Sequence, residues 1–263
     1  MELIYIAAGG FVGFIIGLTG VGGGSLMTPI LVLGFGITPS IAVGTDLLYA
    51  AITKANGVFF HHRNKTIDWK VVGLLASGSI PSSIITILCL EEIRDQGINY
   101  DHIMMATLSF MLILTAIIIM IKNKLLAWAR NGDSKSSIIK IVQRFRPHIT
   151  VSSGIALGIL VTISSVGAGA IGSAILFMLY PSKRPISIVG TDLAHAIPLT
   201  AIAGSGHMHF GTVDFYLLTG LLAGGIPAIY IGSYIGKKLP DYLLRPIIAF
   251  LLLLMGLKLA LYK

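Results

Sequence analysis

Charge is scarce in this sequence. Eleven acids and nineteen bases make up only 11% of its 263 residues, against about 25% in soluble globular proteins. A soluble domain with so little charge could not cover its own surface, whereas helices facing lipid need no such cover. Cysteine is scarcer still: Cys89 stands alone, which excludes an intrachain disulfide and a Cys-rich metal cluster. No G-x-x-x-x-G-K-[ST] run is present for ATP-driven pumping, and no H-E-x-x-H for metalloprotease chemistry. Met1-Glu2-Leu3-Ile4 lacks the basic start of a cleaved signal peptide, so the first apolar run is expected to be a membrane segment. What is present is apolar: 55% hydrophobic residues and a mean hydropathy of +0.88. These proportions exclude a soluble enzyme, a disordered tail and a nucleic-acid-binding module, and they define an all-α, polytopic membrane protein.

Long apolar stretches lie near 3–20, 38–60, 67–90 and 102–121, then near 148–165, 185–206, 213–236 and 243–262. Each can cross a hydrocarbon layer about 30 Å thick as a helix. Two shorter apolar pieces, 25–37 and 170–180, follow Gly20-Val21-Gly22-Gly23-Gly24 and Ser165-Val166-Gly167-Ala168-Gly169. Five extended residues plus thirteen helical ones reach roughly 36 Å, enough to complete a crossing, so each piece is either half of a Gly-broken helix or a re-entrant hairpin.

The bases arbitrate between eight and ten passages. The connector 122–147 carries Lys122, Lys124, Arg130, Lys135, Lys140, Arg144 and Arg146 against Asp133, which places it in the cytoplasm. With ten passages, Arg63 and Lys65, Lys183 and Arg184, and Lys237, Lys238 and Arg245 fall on the same side. Fourteen of the nineteen bases are then inside, and the acidic segment Glu91–Asp95 is outside. With eight passages only nine bases remain inside. Ten passages fit better. The connector is too short for a core of its own, and its charge reflects orientation and anionic lipid.

The chain also repeats itself. Val43-Gly44-Thr45-Asp46-Leu47 returns 146 residues later as Val189-Gly190-Thr191-Asp192-Leu193. The same offset maps Pro39 onto Pro185, His61 onto His207, Asp68 onto Asp214 and Pro81 onto Pro227; an offset of 145 maps Gly13 onto Gly158 and Val21-Gly22 onto Val166-Gly167. Residues 1–121 and 148–263 therefore read as two homologous transmembrane repeats flanking the connector. With five passages in each, the second is inverted relative to the first, an arrangement found in many secondary transporters.

Gly17-Leu18-Thr19-Gly20-Val21-Gly22-Gly23-Gly24-Ser25, followed by Pro29 and Val43-Gly44-Thr45, resembles the signature of the TauE/SafE family of sulfite and organosulfonate exporters, or anion permeases. The resemblance covers nearly the whole chain, including both repeats, Asp68-Trp69 and the basic connector. It implies secondary export of a small sulfur-containing anion, with no cofactor. Two departures stand out. The second repeat carries Gly167-Ala168-Gly169 in place of the triple glycine, and Asp follows Gly-Thr in both repeats, where the family more often has a neutral polar residue.

Individual residues sharpen the expectation. Gly22, Gly23, Gly24 and Ser25 open one short helix, and Gly167 and Gly169 precede the other. Helix starts with glycine beside them suit an anion; close helix packing is the structural alternative. Thr45 and Thr191 are candidate substrate contacts beside Asp46 and Asp192. These carboxylates fall inside apolar helices, where an ionisable group is a functional candidate, as a proton carrier or as a helix cap. His195 lies three residues beyond Asp192, on the same helix face, while its counterpart in the first repeat is Tyr49. Lys54 and Asn56 share a helix with Asp46; Lys54 either meets a carboxylate or the anion, or snorkels to the inner interface near His61 and Arg63.

Other polar residues read as structural. His61, His62, His207 and His209 are expected at helix ends, at the interface, and their spacing fits no metal site. Asp68 and Asp214, with Trp69 and Phe215, read as charged helix starts with interfacial aromatics.

The leading expectation is a secondary permease working by alternating access, with Asp46 and Asp192 as candidate proton carriers, not an enzyme. A passive channel is the first alternative. An intramembrane aspartyl enzyme is the second, disfavoured because its Gly-x-Gly-Asp motif is missing. The expected partners are the anion, protons and the bilayer, with no nucleic acid and no metal.

Overall fold

The computed structural model describes residues 2–19, 24–131, 144–236 and 241–261. Among these residues the chain is all-helical, with ten α-helices: α1 (Glu2–Thr19), α2 (Gly24–Phe35), α3 (Pro39–Arg63), α4 (Trp69–Asp95), α5 (Asp101–Asn131), α6 (Arg146–Ser164), α7 (Ala170–Leu179), α8 (Pro185–His209), α9 (Phe215–Gly236) and α10 (Asp241–Leu261). Gly22, Gly23 and residues 132–143 of the connector lie outside the described residues. Five helical stretches are long and apolar enough to cross a membrane: α4, residues 101–121 of α5, α6, α8 and α9. The protein is a multi-pass membrane protein. α5 runs ten residues past the apolar stretch 102–121, because Lys122–Asn131 contains no glycine or proline to stop it.

Local chemistry sets the interruptions. α2 and α7, with twelve and ten residues, are only about 18 and 15 Å long. Gly36, at φ +66°, ends α2, and Pro39 starts α3. Before α7 the chain turns through Ser165 (φ +58°), Gly167 (φ +116°) and Gly169 (φ +142°). The last two values suit glycine and almost nothing else, so this break is written into the sequence.

Packing follows the same residue logic. α1 lies along α9, and α6 along α4. Gly9, Gly13 and Gly17 form a small-residue ridge on which any Cβ would strike the backbone of Leu221, Gly225 and Ile229. Gly154 and Gly158 stand in the same relation to the backbone of Leu75 and Ser79. Without a hydrophobic drive between helices in lipid, such close approach supplies the association energy. α3 packs on α8, and α5 on α10.

Contacts also join segments at the helix ends. The Lys183 ammonium pairs with the Asp68 carboxylate, joining the loop before α8 to the start of α4. Elsewhere, His209 lies 3.7 Å from Glu91, and Arg94 sits 5.0 Å over the Phe210 ring. The basic loops around 65 and 183 therefore meet, and the acidic segment 91–95 meets the turn after α8.

Asp68 also caps α4, accepting from the N–H groups of Lys70 and Val71 at 3.1 and 3.3 Å. Burial raises its pKa, but Lys183 and those N–H groups outweigh the burial and hold it below 3.8. Trp69 and Phe215 are exposed beside the starts of α4 and α9.

Candidate substrate site

The repeated Gly-Thr-Asp explains how its neighbours come together. At Gly44 a Cβ would strike the Thr212 carbonyl, and at Gly190 it would meet the His61 ring. Glycine thus lets α3 and α8 approach the turns at residues 210–214 and 61–66. One residue on, the hydroxyls bridge the two halves of the chain. Thr45 Oγ1 accepts from the Asp214 N–H at 3.1 Å, and Thr191 Oγ1 accepts from the Asp68 N–H at 3.0 Å. A second step of about 100° round each helix turns Asp46 and Asp192 into the interior, where they are 0% and 2% exposed.

Asp46 Oδ2 accepts a 2.5 Å hydrogen bond from the Thr28 hydroxyl, near the start of α2. Its Oδ1 has no hydrogen-bond partner among the described residues. The buried Ser165 hydroxyl, likewise without a bond of normal length, lies beside this carboxylate. Asp192 lies against α7, where a Cβ on Gly172 would collide with its carboxylate. Both carboxylates thus stand by the beginning of the short helix in their own half.

Between them is Lys54. Its side chain is buried rather than snorkelling outwards: the ammonium donates to the Ala168 carbonyl at 3.0 Å, inside the break before α7. It also feels the charges of Asp192 and, more weakly, Asp46. The expectation of an interfacial lysine fails because two buried carboxylates draw the ammonium inwards. His195, also buried, faces the same ammonium. Its Nε2 lies 2.7 Å from Ser79 Oγ, and its Nδ1 has no partner among the described residues. At the matched place in the first half, the Tyr49 ring fills the space over Gly225, the counterpart of Ser79.

The structure therefore brings Asp46, Lys54, Asp192 and His195 into one buried cluster, with Gly167 and Gly169 shaping its edge. Ser25 is buried in the first turn of α2, which begins at Gly24. Gly22 and Gly23 lie outside the described residues, as does the Asn56 side chain. Thr45 and Thr191 are not in the cluster, because their hydroxyls are used in the links between halves. His207 departs from the interfacial expectation: it is 0% exposed and bonded through Nε2 to the Thr162 carbonyl at 3.0 Å. Thr28, Ser79 and Ser165 were missed by sequence reasoning. Thr28 had a signal, since the 145-residue offset matches it to another hydroxyl, Ser173.

Charged groups held away from water inside an apolar helical protein are costly and mark a transport pathway; the fold and its centre define a membrane transporter. The profile of the family described as sulfite exporter TauE/SafE matches residues 5–259, and the chain belongs to that family. It is 38% identical over 259 residues to the probable membrane transporter protein YjnA of Bacillus subtilis, covering 98% of this chain and 100% of that one. A probable membrane transporter protein of Methanocaldococcus jannaschii is 29% identical, over 94% of this chain and 92% of its own length. YunE of Bacillus subtilis, also a probable membrane transporter protein, is 25% identical over 98% and 96%. No solved structure matches the chain.

Proposed function

We propose that the protein is a secondary permease exporting a small sulfur-containing oxyanion, sulfite or an organosulfonate, by alternating access linked to protons. The observation that carries this reading is the buried cluster of Asp46, Lys54, Asp192 and His195 beside the starts of α2 and α7. The family's description as sulfite exporters supports the substrate class.

The electrostatics suggest the coupling. A helix start favours an anion, and here each start has a carboxylate of the chain itself beside it. The charged and titratable groups facing the centre are Asp46, Tyr49 and Lys54 from α3 and Asp192 and His195 from α8. With both carboxylates ionised they outnumber the single ammonium and repel an incoming anion. A proton on one of them cancels that charge and frees a position for the substrate, so anion and proton travel together.

Two inverted repeats, 1–121 and 148–263, with ten passages, supply the alternation. Thr191 with Asp68 and Lys183 ties the halves at the cytoplasmic end, and Thr45 with Asp214 ties them at the other. Opening either end breaks its own tie and leaves the opposite one in place.

The test is counterflow in proteoliposomes. Vesicles preloaded with unlabelled sulfite should take up labelled sulfite faster than empty vesicles. Equal rates with and without preloading would point to a channel. No flux of sulfite or of any sulfonate would remove the substrate assignment.

A further inference from the structure

The two halves share residues at an offset of 146 but differ in their charged ones. Lys54 has Thr200 at its matched position in the second half, and Thr200 is satisfied by the Ala196 carbonyl of its own helix at 2.8 Å. The cluster therefore holds one lysine, supplied by the first half, and that lysine reaches across to the break of the second half at Ala168. The break is irregular at three residues: Ser165, Gly167 and Gly169 all have positive φ. It leads into α7, a helix of ten residues.

Three independent features converge on this break. The Lys54 ammonium is buried, and among the described residues it donates one hydrogen bond, to a neutral carbonyl. An ammonium has three donors, and an oxyanion is a much stronger acceptor for them than a carbonyl. The Ser165 hydroxyl is 3% exposed, makes no hydrogen bond of normal length among the described residues and lies beside the Asp46 carboxylate. The start of α7 adds the positive end of a helix dipole. A carboxylate stands by each helix start, Asp46 at α2 and Asp192 at α7, but the ammonium reaches only the break before α7.

We propose that the substrate anion binds asymmetrically, on the second half's break alone, held by the Lys54 ammonium and the Ser165 hydroxyl at the start of α7. The Ala168 carbonyl holds the lysine in place until the anion replaces it. The ligand class is a small oxyanion of sulfur, compact enough to lie between one ammonium and one helix start. Lys54 is then the residue that selects for negative charge, while Asp46 and Asp192 govern when the anion is admitted. This assignment rests on the permease reading above.

The experiment is thermal unfolding of the purified full chain, titrated with sodium sulfite against sodium chloride of matched ionic strength. Wild type should be stabilised by sulfite. In Lys54→Gln the concentration for half-maximal stabilisation should rise about tenfold or more, the loss expected for a charged hydrogen bond. Lys54→Arg, which keeps the charge, should stay near wild type. Ser165→Ala should weaken binding roughly three- to tenfold, as for a neutral hydrogen bond. Thr200→Val, the matched position, should leave the midpoint unchanged. If wild type responds and Lys54→Gln responds at the same concentration, the asymmetric site is wrong and the permease reading stands. Equal losses in Lys54→Gln and Thr200→Val would also overturn it, in favour of a symmetric site. If Lys54→Gln does not fold, an unchanged midpoint in Ser165→Ala overturns it alone. No response of wild type to sulfite would remove the substrate class and this site with it.

Discussion

At the scale of single residues, the function of each polar side chain follows from which way its helix turns it. Gly44, Thr45 and Asp46 are adjacent, yet the first permits close approach, the second links two halves and the third enters the centre. Sequence alone made Asp46, Asp192 and His195 legible, because ionisable groups in apolar helices stand out and the repeat ties them together. Thr45 and Thr191 looked equally like ligands; successive helix positions point about 100° apart, and no pattern in the residues says which one faces inwards. Ser165 was invisible for another reason: serine is ordinary in membrane helices, and its burial depends on packing against distant segments.

Asp68 gives a prediction at this scale. Asparagine caps a helix about as well as aspartate, so Asp68→Asn removes the Lys183 pair and little else, at a cost of up to about 1 kcal/mol for a partly exposed pair. Asp68→Ala loses the cap as well, a further ~1 kcal/mol. The folded-state pKa of Asp68 is depressed below 3.8. Its stabilisation is therefore full above that value and is lost as pH falls through the depressed pKa. Melting curves should show wild type ahead of Asp68→Asn at pH 7, with the gap closing below about pH 4. A gap independent of pH would mean that the ion pair contributes nothing.

At the scale of elements, the helices were legible almost entirely, since a long apolar run can satisfy its backbone in lipid only as a helix. Their ends were not: α5 continues beyond its apolar stretch because helix propensity, not hydropathy, decides where it stops. Glycine decides the packing, and neighbouring positions on α1 test this. A Cβ on Gly13 would strike the Gly225 backbone, whereas one on Gly10 would lie 3.8 Å from the Gly224 carbonyl, ordinary contact. Gly13→Ala should therefore destabilise by about 1–3 kcal/mol, since backbone on both sides cannot yield. Gly10→Ala should be neutral or slightly stabilising, because alanine favours the helix. Thermal unfolding in detergent would show equal melting temperatures if close approach were unimportant.

The links between elements make a further prediction. Thr191→Val leaves the Asp68 N–H, and Thr45→Val the Asp214 N–H, without its acceptor, each at about 1–3 kcal/mol if no water replaces it. Because the two links lie at opposite ends, the variants should bias the protein in opposite directions. Cysteine labelling from each side of the membrane should report access rising at the Asp68 end in Thr191→Val and at the Asp214 end in Thr45→Val. The same pattern in both would dismiss the links as gates.

At the scale of the whole molecule, α3 and α8, which carry the repeated Gly-Thr-Asp, enclose one buried ionisable centre with unmatched charges. Matched sequence positions 146 apart foretold that Asp46 and Asp192 would be related, but not that Lys54 would reach between them. Its proximity to His61 and Arg63 in the sequence pointed towards the interface, and only the packing of α3 on α8 turns it inwards. The central claim is that movement of the anion is tied to protonation of these carboxylates. The direct measurement is accumulation of radiolabelled sulfite in proteoliposomes with and without an imposed pH gradient, for wild type, Asp46→Asn and Asp192→Asn. Wild type should accumulate sulfite above equilibrium only while the gradient lasts. Both variants should lose accumulation, and to different extents, because Asp192 lies nearer in charge to Lys54 and Asp46 is held by Thr28. Accumulation that ignores the gradient, or wild-type accumulation in both variants, would contradict the account.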